Sequence, residues 1–444
     1  MSSVRIVHIF CGAVFLSASV ATAQDDTLRL PAPASLPECL RYALTHQPSV
    51  RQADLDERIA DRTIAIGLSG WLPQVSLSGA LTHNTELSAP PASVSRLGPV
   101  NTSSIQLSLS QTIFDRDVLA ALSTRSDVRE RAHEQSALTS IDVVVNVSKA
   151  YYAVLTASTQ LAVLRDDITR LRRNLEDARS QFRSGVVDKT DYQRATITLN
   201  NVEAEAYQAQ QQRDARLAAL KEAMGYPSSL ALELPESDSA QWSESGLMVD
   251  TTQHVVYEDR VEYRQMETER RLRRSALSYA KWSFLPALSA VGAYSYNYQA
   301  DALPPLFDRA YANSFVGLRL SLPIFEGGRR LFEISRARLE LERADYDIER
   351  LKLSIDAEFA QASANYKSNL RSYLMLKENA ELARDVYETL QLQYRSGIKT
   401  YLDVLTAEND LRAAEANRTN AFYQLISGKL DMERALGRIR TDVP

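Results

Sequence analysis

Hydrophobic and polar positions along this chain follow two periods, and the chain switches between them in the same order twice. Val75, Leu77, Gly79 and Leu81 alternate with Ser76, Ser78, Ala80 and Thr82, the period of a strand with one apolar and one wet face. A second such run sets Ile105, Leu107 and Leu109 against Ser104, Gln106, Ser108 and Ser110. In the second half, Leu288, Ala290, Gly292, Tyr294, Tyr296 and Tyr298 alternate with Ser289, Val291, Ala293, Ser295 and Asn297. Val316, Leu318, Leu320 and Leu322 then alternate with Phe315, Gly317, Arg319 and Ser321. The pattern predicts strands at about 74–84, 103–114, 286–299 and 313–325. Proline-containing loops, Ser88–Ala92 and Leu303–Pro305, join each pair into a hairpin.

The other period is helical. From Asp115 to Phe182 there is no Pro and no Gly, and at ~1.5 Å per residue such a helix is on the order of 100 Å long. Leu161, Leu164, Ile168, Leu171, Leu175, Ala178 and Phe182 are spaced as a coiled-coil seam. Tyr192, Ala195, Leu199, Val202, Ala206 and Ala209 repeat that spacing on the way back. Between the two runs lies Arg183-Ser184-Gly185, where glycine permits the positive φ that reverses a helix. The return helix stops at Met224-Gly225-Tyr226-Pro227. A second long helix starts at Gly327-Gly328, carries the seam Tyr373, Leu376, Ala380, Ala383, Tyr387, Leu390 and Tyr394, turns at Arg395-Ser396-Gly397 and returns to Leu436-Gly437. Shorter helical stretches, from Leu36 to about Gly70 with a break at Gln47-Pro48 and from about His254 to Trp282, precede the strand pairs. Each half therefore runs helix, strand, strand, long helical hairpin, which is an internal duplication. The chain is mainly α with a small β part.

Composition agrees, since Gly and Pro number only 15 each in 444 residues. At the start, Arg5, the apolar run Ile9–Val20 and Ala21-Thr22-Ala23 fit a secretory signal of residues 1–23. Residues 24–227 form the first repeat, 228–253 an acidic, Ser- and Pro-rich connector, and 254–444 the second repeat. Cys11 falls inside the signal, so Cys39 has no intrachain disulfide partner and reads as a buried small apolar residue. No lipidation motif surrounds Cys11. A net charge of −5 with dispersed basic residues gives no nucleic-acid footprint. The five histidines (His8, His46, His83, His133 and His254) are scattered, and no metal set, nucleophile motif or phosphate-binding loop appears. The chain reads as a non-enzyme without a cofactor.

Each strand has the roughly ten residues that cross a bilayer as a tilted strand, and three tyrosines close the third as an aromatic girdle would. Lipid tolerates no open sheet edge, and four strands cannot close into a barrel. Several chains must then share one barrel. The rival reading is a soluble periplasmic coiled-coil adaptor or scaffold.

Leu322-Pro323-Ile324-Phe325-Glu326-Gly327-Gly328-Arg329-Arg330, the opening Ser35–Leu44, and Tyr394-Arg395-Ser396-Gly397 with Leu402-Asp403-Val404-Leu405 resemble the TolC-like outer-membrane efflux proteins over roughly residues 35 to 437. The resemblance implies a homotrimer whose strands build a twelve-stranded outer-membrane barrel, continued by an α-helical barrel across the periplasm. It implies a periplasmic adaptor (membrane-fusion) protein and, through it, an inner-membrane transporter, in efflux or type I secretion. It also makes Arg183, Ser184, Gly185, Arg395, Ser396 and Gly397 adaptor-docking tips. Tyr394, Lys399 and Asp403 fall where the family places constriction residues, and Asp191 is the first-repeat counterpart of Asp403. A second acid found one turn further on in some relatives is Thr406 here. Alone, an Asp near a helix start is equally a cap. Arg319, on the wet strand face, is a lumen-lining candidate.

Overall fold

The computed structural model describes residues 30–86, 98–185, 188–235, 248–250 and 253–441. The signal segment, Ser88–Ala92 and most of the connector lie outside them. Helices α1 (Leu36–His46) and α2 (Pro48–Ser69) open the chain. Ser35 and Glu38 close a capping box on α1, and Pro48 divides the two helices because it offers no N–H to continue the first. Strands β1 (Gln74–His83) and β2 (Asn101–Phe114) follow, then α3 (Arg116–Arg183) and α4 (Lys189–Met224). The second half holds α5 (Val261–Lys281), β3 (Ala287–Ala300), β4 (Ala310–Ser321), α6 (Arg329–Arg395) and α7 (Tyr401–Ala435).

The strands form one antiparallel sheet in the order β1-β2-β3-β4. Register places Leu77 opposite Leu107, Leu107 opposite Tyr294 and Gly292 opposite Val316, so the alternating residues of all four strands share one apolar face. Among the described residues nothing covers that face: Leu77 is 72% exposed and Val316 92%. A bulge at Ile113 ends the ladder just before α3 begins. The helices continue the order of the sheet. Above, α2 packs on α3, α3 on α5 and α5 on α6; below, α4 packs on α3, α3 on α7 and α7 on α6.

Two boundaries differ from the sequence expectation. The strand expected over 313–325 runs from Ala310 to Ser321, because its ladder partner begins at Ala287 opposite Ser321 and Pro323 has no donor to extend it. The helix expected from His254 begins at Val261, after a 3-10 turn over Tyr257–Asp259. There the chain bends to insert Arg260, only 3% exposed, whose Nη1 donates to the Ala435 carbonyl at the end of α7 at 2.9 Å. Glu262 and Glu358 neutralise the guanidinium.

The main core lies at mid-height, where Cys39, Tyr42 and Ala43 of α1 meet Val143, Val147 and Tyr151 of α3 and Leu220 and Met224 of α4. Cys39 is fully buried and free, and burial pushes its thiol up to about 12. Part of the 228–253 connector joins this core through Leu232.

Candidate functional site: the hairpin tips

Both long hairpins turn on glycine. Gly185 has φ +71° and Gly397 φ +74°, values that an L side chain rarely adopts. A Cβ built on either would meet nothing within 4 Å, so the conformation, rather than close packing, demands glycine. Ser184 Oγ donates to the Ser180 carbonyl at 3.0 Å and Ser396 Oγ to that of Leu392 at 3.0 Å. Each of these carbonyls also accepts the N–H of the same serine, so the hydroxyl adds a second bond to the last helical turn before the glycine. Arg183 and Arg395 stand exposed beside them.

Just past the second tip, Thr400 and Asp403 form a capping box on α7. The Thr400 N–H and hydroxyl donate to Asp403 Oδ2 at 3.0 and 2.8 Å. These bonds, helped by Lys399, hold the Asp403 carboxyl below its ordinary range. Lys399 is exposed. Tyr394 takes a different place: its hydroxyl donates to Gln181 Oε1 of α3 at 3.3 Å, and its ring lies 6.0 Å from that of Tyr401. Burial, and then the Asp191 carboxylate, raises its hydroxyl pKa. Tyr394 thus joins the second hairpin to the first through Gln181, with the Asp191 charge near enough to act on it, while Asp403 serves the helix start of its own hairpin.

Several residues here carry no motif. Tyr401 is buried against Ala178 of α3 and Ala195 of α4, tying the second hairpin to the first. Asp167 and Glu408, 1% and 2% exposed, lie further up the same junction. Their signal in the sequence is polar residues seven apart on helices whose apolar seam is already assigned. Asp167, Asn174 and Gln181 are one such series; Tyr401, Glu408 and Glu415 are another. Arg319 is exposed on β4 opposite Ser289, and it is the only Lys, Arg, Asp or Glu in the four strands.

The family profile described as "Outer membrane efflux protein" matches residues 39–226 and again residues 257–438. The chain belongs to the outer membrane efflux protein family. It is 23% identical over 430 residues to the outer membrane protein TolC of Vibrio cholerae, covering 96% of this chain and 95% of that protein. It is 24% identical over 332 residues to the alkaline protease secretion protein AprF of Pseudomonas aeruginosa, covering 72% of this chain and 66% of that one. Among solved structures, VceC of Vibrio cholerae has the same fold, with a TM-score of 0.70 at 18% identity over 90% of this chain and 96% of that one. The CmeC outer membrane channel of Campylobacter jejuni aligns with a TM-score of 0.71 at 18% identity, covering 92% and 86%. As an outer membrane efflux protein, the chain is an exit duct of the outer membrane, with its helical part in the periplasm, and not an enzyme. The soluble-scaffold reading is not favoured.

Proposed function

We propose that three copies of this chain assemble head to tail around one axis, forming a duct that conducts substrate passively once an adaptor has docked. One observation carries the reading: the sheet and the helical layer end on connected elements. The free edges of the sheet are β1 and β4; next to them in sequence stand α2 and α6, the ends of the upper helical layer. Both end helices carry apolar side chains that stay largely exposed among the described residues, Leu55, Ile59 and Ile66 on α2 and Phe332, Leu339, Tyr346 and Leu353 on α6. The α6 residues recur every seven positions, a seam waiting for a partner helix. The lower layer ends on α4 and α6, again with exposed Ile197 and Tyr207 on one and Leu382 and Val386 on the other. A copy that offers different surfaces at its two ends builds a closed ring by a heterologous contact. Three such sheets give a barrel of twelve strands with no edge left in lipid.

In that ring the wet sheet face, with Arg319, lines the lumen. The tips Arg183-Ser184-Gly185 and Arg395-Ser396-Gly397 project toward the periplasmic end, where an exposed guanidinium and an uncovered glycine backbone suit contact with the helical hairpin of an adaptor. Energy and substrate choice then come from an inner-membrane transporter reached through that adaptor. Asp191, Tyr394, Lys399 and Asp403 lie just past the tips and form the constriction at the entrance, Asp403 while its carboxyl also caps α7 and Tyr394 while its hydroxyl is bonded to Gln181. Native mass spectrometry of detergent-extracted protein tests the assembly: the mass of three chains is expected, and a single-chain mass would contradict it.

A further inference from the structure

The hairpins are held by seams of two chemistries. Within each hairpin the seam is mainly apolar, with Leu161, Leu164, Leu171 and Val202 in the first and Val404, Ala407 and Leu411 in the second. Between the hairpins of one chain an apolar contact of Tyr401, Ala178 and Ala195 near the tips is joined by a run of polar contacts. Asp167 Oδ2 accepts from Arg412 Nε at 3.0 Å, Asn174 reaches the Tyr387 hydroxyl, and Gln181 accepts from Tyr394 at 3.3 Å. An apolar seam of the same volume would hold at least as tightly as buried charges, because each buried ion must first be stripped of water.

This junction is also incompletely satisfied. Asp167 is paired twice, by Arg170 on its own helix and by Arg412 across the seam. Glu408, one turn before Arg412, is 2% exposed, and its Oε1 has no hydrogen-bond partner. Arg412 Nη2, Arg170 Nε and the Tyr401 hydroxyl are likewise buried without partners. Leaving such atoms unpaired destabilises the closed junction relative to any state in which water reaches them. We propose that Asp167, Arg170, Arg412 and Glu408 form a latch between the two hairpins of one chain, and that Glu408 is its proton-sensitive member.

The sign follows from what faces Glu408. Asp167 and Arg170 face it from α3, Arg412 and Tyr401 from α7, and Tyr387 from α6; Glu415, paired with Arg384 of α6, acts on Asp167. The two guanidinium groups favour the ionised acid and Asp167 opposes it, but burial outweighs both and raises its pKa from 4.5 to about 7. Parting the hairpins hydrates Glu408 and returns it toward the ordinary carboxylate range. The parted state therefore binds fewer protons, so rising pH favours parting and falling pH favours closure. Since each pKa unit is a factor of ten, complete hydration would change the equilibrium at most ~300-fold.

The consequence for transport rests on the constriction reading above, but the latch itself can be tested without a pore. Cysteines replacing the exposed Ser184 and Ser396 carry nitroxide labels, while buried Cys39 stays unlabelled. Co-expression with excess unlabelled chain leaves one labelled copy per assembly. Electron-spin distance measurements then report the tip separation at pH about 5.5 and about 8, on either side of the Glu408 titration. The expected result is a shift to longer separations at the higher pH, absent in Glu408→Gln and retained in Glu408→Asp, which can still titrate. A Glu408→Gln protein that keeps the full pH response, or a parent protein that shows none, would overturn the proposal. Conductance does not enter the readout, so failure of the latch is distinct from failure of the duct.

Discussion

At the scale of single residues, chemistry that repeats at the same offset was legible in the sequence and chemistry that needs a third dimension was not. Gly185 and Gly397 announced themselves because a Ser-Gly inside a long helical pattern has one common use, and both adopt positive φ. The Asp191 carboxylate acts on the Tyr394 hydroxyl from the other hairpin, a relation between positions far apart in sequence that spacing does not show. Asp403 shows the limit: an acid three residues after Thr400 suits a capping box, which it forms, and its spacing is silent on whether the same carboxylate also faces the pore. Glu408 has a spacing signal, seven residues from both Tyr401 and Glu415, but its burial against a second hairpin needed the structure, because an acid on an exposed face can keep the same spacing. Its stability effect has a definite sign. With its pKa raised above the unfolded value of 4.5 to about 7, Glu408 adds stability that is fully present below the unfolded value and lost as pH rises through the folded one. Glu408→Gln should therefore remove a pH-dependent loss of up to ~3 kcal/mol between pH about 5 and about 8. Denaturant unfolding at the two pH values measures it; the same loss in both proteins would show that another group carries it.

At the scale of elements, the two periods located every strand and long helix, because a ladder and a coiled-coil seam each impose a spacing that composition cannot imitate. The ends were less legible. They depend on partners remote in sequence: β4 stops where β3 begins, and α5 waits for Arg260 to reach Ala435. The seams inside the hairpins should carry much of their stability. Leu171, 1% exposed, packs between α3 and α4, and Leu171→Ala should cost about 2–5 kcal/mol through lost burial and the cavity left behind. A cost below ~1 kcal/mol in denaturant unfolding would mean that the hairpin closes up over the gap. Thr400→Ala breaks the capping box at the start of α7 and should cost about 0.5–2 kcal/mol. The tips make a separate demand. Replacing Gly185 and Gly397 together by Trp strains both turns, whose φ is positive, and adds bulk at exposed tips, but it leaves the sheet edges and the stripes of the end helices intact, so assemblies should still form while export in cells is lost. Export at the parental rate would remove the tips from the docking surface.

At the scale of the whole molecule, the sequence showed that four amphipathic strands cannot be satisfied alone, and the structure shows what they lack. The sheet has two open edges and an uncovered apolar face, and the end helices add unpartnered stripes of their own. How many copies close the ring could not be read from alternation, which sets the face of a strand but not the number of strands around an axis. Arg319 is the only formal charge on the described strands, and in the proposed ring of three copies it would set three guanidinium groups in the lumen near the periplasmic end of the barrel. Arg319→Gln should shift the reversal potential in a salt gradient toward cation preference, at unchanged assembly; an unmoved potential would place Arg319 away from the ion path. The most direct measurement of the central claim is the current across a planar lipid bilayer after adding detergent-purified protein. The account predicts discrete, long-lived conductance steps from a protein that needs detergent to stay in solution. A chain that remains soluble without detergent and opens no conducting path in lipid would contradict it.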